Sequence, residues 1–351
     1  MPTDGHPGAT NRRKFLQALA VLGIGGQAFL RSGDSRAAVY AARAAAGRKA
    51  SWPVLGRRSL GRTGFEGGRL VFGCGAALSR GRKHGLLDAA FDAGINVFDV
   101  GTRRYYKDAE VNLAPFLKRR RDDVFLISKA MTYIDVEPNE EITTAQAREG
   151  AATWSGLLDQ SLKELEVDKV DAYYVMASNN PHVIKSEEIH EAFLSAKQAG
   201  KVDHLGLSTH QNAQRVLEAA METGWYDLAQ IAVTPAGWYD WGDKNILASS
   251  PPMSALRPFL DRVRASGIGL IGMKAGRYLA GRKFLGWGKP TAFDEYYDEK
   301  VMSSGLSAFQ RSYSYVLANG LDAVNADMQS FGHLEENLIA AAGSSELHAT
   351  V

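Results

Sequence analysis

Three residues in the first half of the chain could move a proton together. Asp99 closes the apolar run Gly94-Ile95-Asn96-Val97-Phe98-Asp99, Lys129 closes Ile127-Ser128-Lys129, and Tyr106 falls between the two runs. A phenol held beside an ammonium is stabilised as phenolate, so its pKa is expected to fall from its usual value of about 10. A carboxylate paired to that ammonium would hold it in place. The set suits proton donation to a carbonyl oxygen. The plain alternatives are a buried structural ion pair for Asp99 and Lys129, and a packing role for Tyr106.

These residues need elements that present them together. Eight short apolar runs recur along the chain, at residues 70–73, 95–99, 124–129, 170–176, 204–208, 228–233, 269–273 and 322–328. Several are continuous in apolar residues rather than alternating, as strands buried on both faces should be. Amphipathic stretches such as 154–165 and 189–199 separate them, which predicts alternating β and α units around a parallel sheet. Eight such units over residues 45–351 fit an α/β fold, a closed (β/α)8 TIM barrel, with a doubly wound open sheet as the alternative. Ahead of the first run, the glycine spacing in Arg57-Arg58-Ser59-Leu60-Gly61-Arg62-Thr63-Gly64-Phe65-Glu66 suggests an N-terminal β-hairpin that plugs the barrel bottom. The string Gly267-Ile268-Gly269-Leu270-Ile271-Gly272 follows a helical segment and leads into a strand. That order is the reverse of a dinucleotide-binding turn, so Gly267 reads as a helix cap.

The remaining composition mostly excludes. A net charge of +2 gives no reason to expect nucleic acid as a partner. The single cysteine, Cys74, cannot form an internal disulfide. No metal-ligand spacing and no G-x-S-x-G elbow occurs, so no metal is expected. Residues 1–44 differ from the rest: Asn11-Arg12-Arg13-Lys14-Phe15-Leu16-Gln17 precedes an apolar run at 18–24 and an Ala-rich stretch at 37–46. A charged start, a short apolar segment and small residues beyond it predict a cleavable signal. The paired arginines before Phe-Leu resemble a twin-arginine signal, which would hand a folded protein to the twin-arginine export machinery and place it in the periplasm. No other segment is long enough for a stable membrane span.

Several strings in order resemble the aldo/keto reductase family. They are the Arg58-x-Leu60-Gly61-x-Thr63-Gly64 opening, Leu70-Val71-Phe72-Gly73-Cys74-Gly75, the Gly94 to Asp99 stretch, Gly200-Lys201-Val202, Leu205-Gly206-Leu207-Ser208, Ile271-Gly272-Met273-Lys274 and Leu334-Glu335-Glu336-Asn337. The resemblance implies a catalytic Asp, Tyr, Lys and His at the barrel mouth. Asp99 and Lys129 match. Tyr106 is reached through a two-residue insertion and, unlike Tyr105, keeps a Glu four residues on, at Glu110. The His position is Met176; His182 and His210 follow, either as surface or loop histidines or as one that reaches into the mouth. Cofactor positions fall on Ser208, Thr209, Gln230, Lys274, Glu336 and Asn337. The family default is NADP, but Asp327 and His333 stand where basic residues would meet its 2′-phosphate, which leaves NAD open.

The implied activity is NAD(P)H-dependent reduction of an aldehyde or ketone, a small-molecule carbonyl substrate, to an alcohol. The rival is a catalytically impaired barrel that binds a nucleotide or another ligand, since Met176 cannot donate a hydrogen bond. Two long segments, 234–253 and 277–303, carry Trp238, Tyr239, Trp241, Tyr278, Phe284, Trp287, Phe293, Tyr296 and Tyr297, which either line a substrate pocket or pack as a lid that touches no ligand.

Overall fold

Each of the eight apolar runs forms a strand, and the eight close on one another. In the computed structural model, which describes residues 52–83, 85–279 and 289–347, a short antiparallel hairpin comes first, β1 (Arg57–Ser59) with β2 (Glu66–Gly68). The barrel strands follow: β3 (Leu70–Gly73), β4 (Val97–Asp99), β5 (Phe125–Ala130), β6 (Val170–Val175), β7 (Val202–Thr209) and β8 (Leu228–Thr234). An antiparallel extension, β9 (Gly237–Asp240) and β10 (Asn245–Ile246), precedes the last two barrel strands, β11 (Gly269–Met273) and β12 (Ala323–Asp327). Every barrel pairing is parallel, and β12 returns to β3 with Val324 opposite Leu70. This closure rules out the open doubly wound sheet. The signal expected over residues 1–44 and the aromatics Phe284 and Trp287 lie outside the described residues.

The barrel interior decides where chemistry can sit. Val71, Val97, Phe125, Ile127, Ala172, Tyr174, Leu228, Ile271 and Ala323 pack together there with Leu60. Side chains alternate along a strand. Two residues beyond these apolar positions, toward the C-terminal mouth, come Gly73, Asp99, Lys129, Met176, Gln230, Met273 and Asn325. The parity that fills the core therefore also fixes which residues ring the mouth.

The opposite end is closed as the glycine pattern suggested. Leu60 is fully buried under the strands, and Gly61 (φ +56°) rests on Gly269, where a Cβ would lie 2.3 Å from the Gly269 nitrogen. Arg62 clamps the plug by donating to the Asp227 carboxylate at 2.7 Å and to the Tyr226 carbonyl at 2.7 Å. Helices cover the outside. The longest, Thr144–Leu165, starts with a reciprocal Thr143/Gln146 cap and buries Trp154, whose indole donates to the Tyr174 carbonyl at 3.1 Å. The helix Met253–Ala265 stops just before Gly267 (φ +93°), and β11 begins at Gly269, as read from the sequence. Among the described residues no helix is long and apolar enough to cross a membrane, and no group of metal-ligating side chains occurs.

Candidate active site

At the C-terminal mouth lies a cavity of about 450 Å³, lined among others by Asp99, Tyr106, Lys129, Ser208, His210, Gln230, Lys274, Asp327 and Asn337. That volume is in the range of small-molecule sites. Its floor is an ion pair between Lys129 Nζ and Asp99 Oδ1, with the two side chains 2% and 7% exposed. Asn325 Nδ2 donates to the other Asp99 oxygen at 2.5 Å. Burial pushes the Lys129 pKa down, but the Asp99 carboxylate and Tyr106 more than reverse it, so the ammonium stays protonated.

Tyr106 sits over this pair, with its ring centre 5.5 Å from Lys129 Nζ. Two glycines hold its edges. A Cβ at Gly75 would lie 2.4 Å from Tyr106 Cδ1, and one at Gly101 would lie 2.6 Å from Cε2. Here the sequence expectation needs correcting: burial pushes the Tyr106 phenol up, more than Lys129 pulls it down. The phenol therefore keeps its proton. Tyr105, by contrast, is 45% exposed and sits beside Tyr133 and Arg104, away from the cavity. Glu110, four residues after Tyr106, is buried behind the ion pair and accepts a hydrogen bond from Ser128 at 2.7 Å. Burial raises its pKa to about 7.

The other named residues divide between cavity and core. Ser208, Gln230, Lys274, Glu336 and Asn337 line the cavity, as do Asp327 and His333. Thr209 does not: it has the opposite parity on β7, is fully buried, and spends its hydroxyl on the Gln211 carbonyl at 2.6 Å. Ser208 Oγ accepts from the Ala177 amide at 3.1 Å, which fixes it beside β6. Gln230 is 3% exposed, and its Oε1 has no hydrogen-bond partner among the described residues. Lys274 (φ +69°) lies 4.7 Å from the Trp241 ring, with Arg277 5.3 Å from the same ring. Burial, then the neighbouring Arg277 and Lys129 charges, lowers the Lys274 pKa to about 8.

For most of the aromatics in the two long segments the packing alternative holds. Trp238 is buried against Phe259, while the half-buried Tyr278 and Tyr297 pack on Phe293 and Tyr315. Tyr239 joins Met273 in a small apolar cluster, and Tyr296 packs in another with Phe293. Trp241 touches the cavity residue His210, at 5.6 Å between rings. Besides Tyr106 and His210, the aromatics that line the cavity are Phe309 and Tyr313. Sequence reasoning missed these, together with Asn325, Arg277 and the glycines at 75 and 101. Asn325 left a signal, a polar residue at an inward position of the last apolar run. The glycines left none, because their role depends on where a loop tyrosine lands.

Met176 is 6% exposed at the end of β6 and supplies no hydrogen-bond donor. His182 sits on the short helix Pro181–Ile184 and does not line the cavity, whereas His210 does.

A sequence model described as the Aldo/keto reductase family matches residues 62–241, just over half of the chain. Similar solved structures include two of candidate aldo-keto reductases from Pseudomonas aeruginosa. Both are 20% identical, with TM-scores of 0.56 and 0.58, covering 83% and 84% of this chain and 98% and 99% of theirs. A thermostable aldo-keto reductase solved with the inhibitor epalrestat is 19% identical, with a TM-score of 0.58 over 84% of this chain and 99% of its own. At this identity the likeness shows a shared fold. No curated protein matches the sequence.

Proposed function

Since the chain belongs to the aldo/keto reductase family, we propose that it reduces an aldehyde or ketone to an alcohol with a bound nicotinamide nucleotide, using Tyr106 as the acid. The family as a whole supports carbonyl oxidoreduction and a nicotinamide cofactor. The observation that carries the finer reading is Tyr106, wedged between two glycines over the Lys129–Asp99 pair in one cavity.

The residues present suit the cofactor. Gln230 Oε1 is a buried acceptor with no partner among the described residues, suited to the amide group of a nicotinamide, and Ser208 lines the same cavity. Lys274 and Arg277 would meet the diphosphate, with Glu336 and Asn337 toward the adenosine. A reduced nicotinamide, when bound, supplies the hydride that the carbonyl carbon takes up.

The chain's own residues do the rest. Tyr106 Oη gives its proton to the carbonyl oxygen as charge builds there. The Lys129 ammonium then faces the phenolate left behind and stabilises it. Asp99, itself held by Asn325, prevents that ammonium from swinging away. A proton from solvent restores the phenol. Asp327 at the cavity rim would repel a 2′-phosphate, so NADH is the proposed partner over NADPH.

Titrating the protein with NADH and NADPH while following tryptophan fluorescence tests this reading. Saturable binding together with carbonyl-dependent nucleotide oxidation is expected. Binding without turnover would favour the second reading, a ligand-binding barrel, for which the donorless Met176 is the specific observation. Failure to bind either nucleotide at about millimolar concentration, far above the usual affinity range, would sink both nucleotide readings.

For the leader we retain export by the twin-arginine route as a proposal resting on Arg12 and Arg13. Replacing both by Lys should leave the full chain in the cytoplasmic fraction, and unchanged export would remove the idea.

A further inference from the structure

A carbonyl reductase gains from a second donor beside its acid, and Met176 cannot be one. Resting on the reductase reading above, we propose that His210 supplies the hydrogen bond to the substrate carbonyl oxygen that residue 176 lacks.

The geometry begins with strand parity. On β7 the inward positions are His204, Gly206 and Ser208, and His210 is the next in that series, roughly 7 Å beyond Ser208. β7 is the immediate neighbour of β6, with Leu207 opposite Val175, so the donor moves to the adjacent strand. His210 is half-buried in the wall of the cavity that also holds Tyr106 and Lys129. Its backbone is pinned, since the Trp241 amide donates to its carbonyl at 3.2 Å, and its ring leans on the Trp241 indole. Neither ring nitrogen is engaged by any described side chain, so one N–H is free for a ligand.

The electrostatics agree with a donor and argue against a base. Burial, with Lys274 and Lys129 adding positive charge, pushes the His210 pKa down to about 3. The imidazole is neutral at any working pH, with one N–H to give. A neutral imidazole can polarise a carbonyl without competing with Tyr106 to deliver the proton.

Two other groups were available and fit less well. His182 does not line the cavity. Tyr174 has a phenol oxygen with no partner, but it lies one inward position below Met176, fully buried in the barrel core against Gly206. It has no path to a substrate.

The test uses the full chain, NADH or NADPH, and 4-nitrobenzaldehyde as the carbonyl probe. Nucleotide affinity and kcat are measured for wild type, His210→Ala, His210→Gln, and His210→Ala combined with Met176→His. Loss of the donor should lower kcat by roughly 10²-fold or more with nucleotide affinity unchanged. His210→Gln keeps an N–H donor and should retain more activity than His210→Ala. Adding Met176→His to the Ala variant should recover at least about tenfold, a gain that a merely structural His210 could not produce. Turnover that survives His210→Ala intact overturns the donor assignment and leaves the reductase reading standing. A wild-type protein that binds no nucleotide, or binds it without any turnover, overturns both.

Discussion

Gly75 offers the sharpest perturbation of the proposed acid. Alanine there would place its Cβ 2.4 and 2.5 Å from Cδ1 and Cε1 of Tyr106, where ordinary contact starts at 3.4 Å. The ring must therefore retreat by about 1 Å. It cannot move straight back, because its other edge already lies against Gly101 and a Cβ there would sit 2.6 Å away. A displacement of that size in a reacting group costs roughly 10²-fold in rate. The overpacking itself should cost about 1–3 kcal/mol of stability. Single-turnover oxidation of bound NADH by a carbonyl gives the rate, thermal unfolding gives the stability, and a separate titration gives nucleotide affinity, since Gly75 also lines the cavity. Gly156→Ala serves as control: it is exposed in the helix Thr144–Leu165 with nothing within 4 Å of a new Cβ. That change should leave the rate alone and add about 0.5–1 kcal/mol. A Gly75→Ala protein that turns over as fast as wild type would refute the claim that the two glycines position the acid.

Further expectations follow from the charged groups. Glu110 keeps its proton up to a pKa of about 7, against 4.5 for an ordinary glutamate, so its contribution is present below about 4.5 and is lost as pH rises through 7. The shift amounts to about 3 kcal/mol. Urea unfolding across that window should therefore show wild-type stability falling and Glu110→Gln staying nearly level; equal slopes for the two would contradict the assignment. Lys274 loses its proton near pH 8 in the free protein. If it holds the nucleotide diphosphate, NADH affinity should weaken by up to about tenfold per pH unit above that point, and Lys274→Met should bind weakly with no such dependence. A wild-type affinity independent of pH would exclude Lys274 as a phosphate contact. Asp327→Lys should shift preference toward NADPH by roughly 10–100-fold, the worth of a charge-assisted hydrogen bond, and an unchanged ratio of affinities would place the 2′ position elsewhere.

Much of this site could be read from spacing alone, because a barrel strand has a period of two. Once Val97 and Ile127 are core, Asp99 and Lys129 must face the mouth, and the sequence carries that information in full. The same parity separates Ser208, which lines the cavity, from Thr209, which is buried. Loops have no such period. Tyr106 and Tyr105 are adjacent and chemically identical; the family's spacing to Glu110 favours Tyr106, and the helical turn Arg103–Tyr106 is what sets it against Gly75. The pKa of Tyr106 went the opposite way to expectation because a sequence shows a nearby Lys but not the depth of burial that outweighs it. The aromatics after β8 and β11 suit a pocket or a packed lid by composition; Trp238 packs on Phe259, Phe293 on Tyr278 and Tyr297 on Tyr315, as large apolar side chains do when another element covers them. His182 and His210 are equal in sequence as substitutes at the mouth, and only the path of the chain just after β7 puts His210 on the cavity wall.

In the proposed reaction Tyr106 delivers the proton while hydride leaves a bound nicotinamide. The most direct measurement is single-turnover NADH oxidation by 4-nitrobenzaldehyde, comparing wild type with Tyr106→Phe. The account predicts that the phenylalanine variant binds NADH as wild type does and loses roughly 10²–10⁴-fold in rate, the usual worth of a positioned general acid. Equal rates in the two proteins would contradict it.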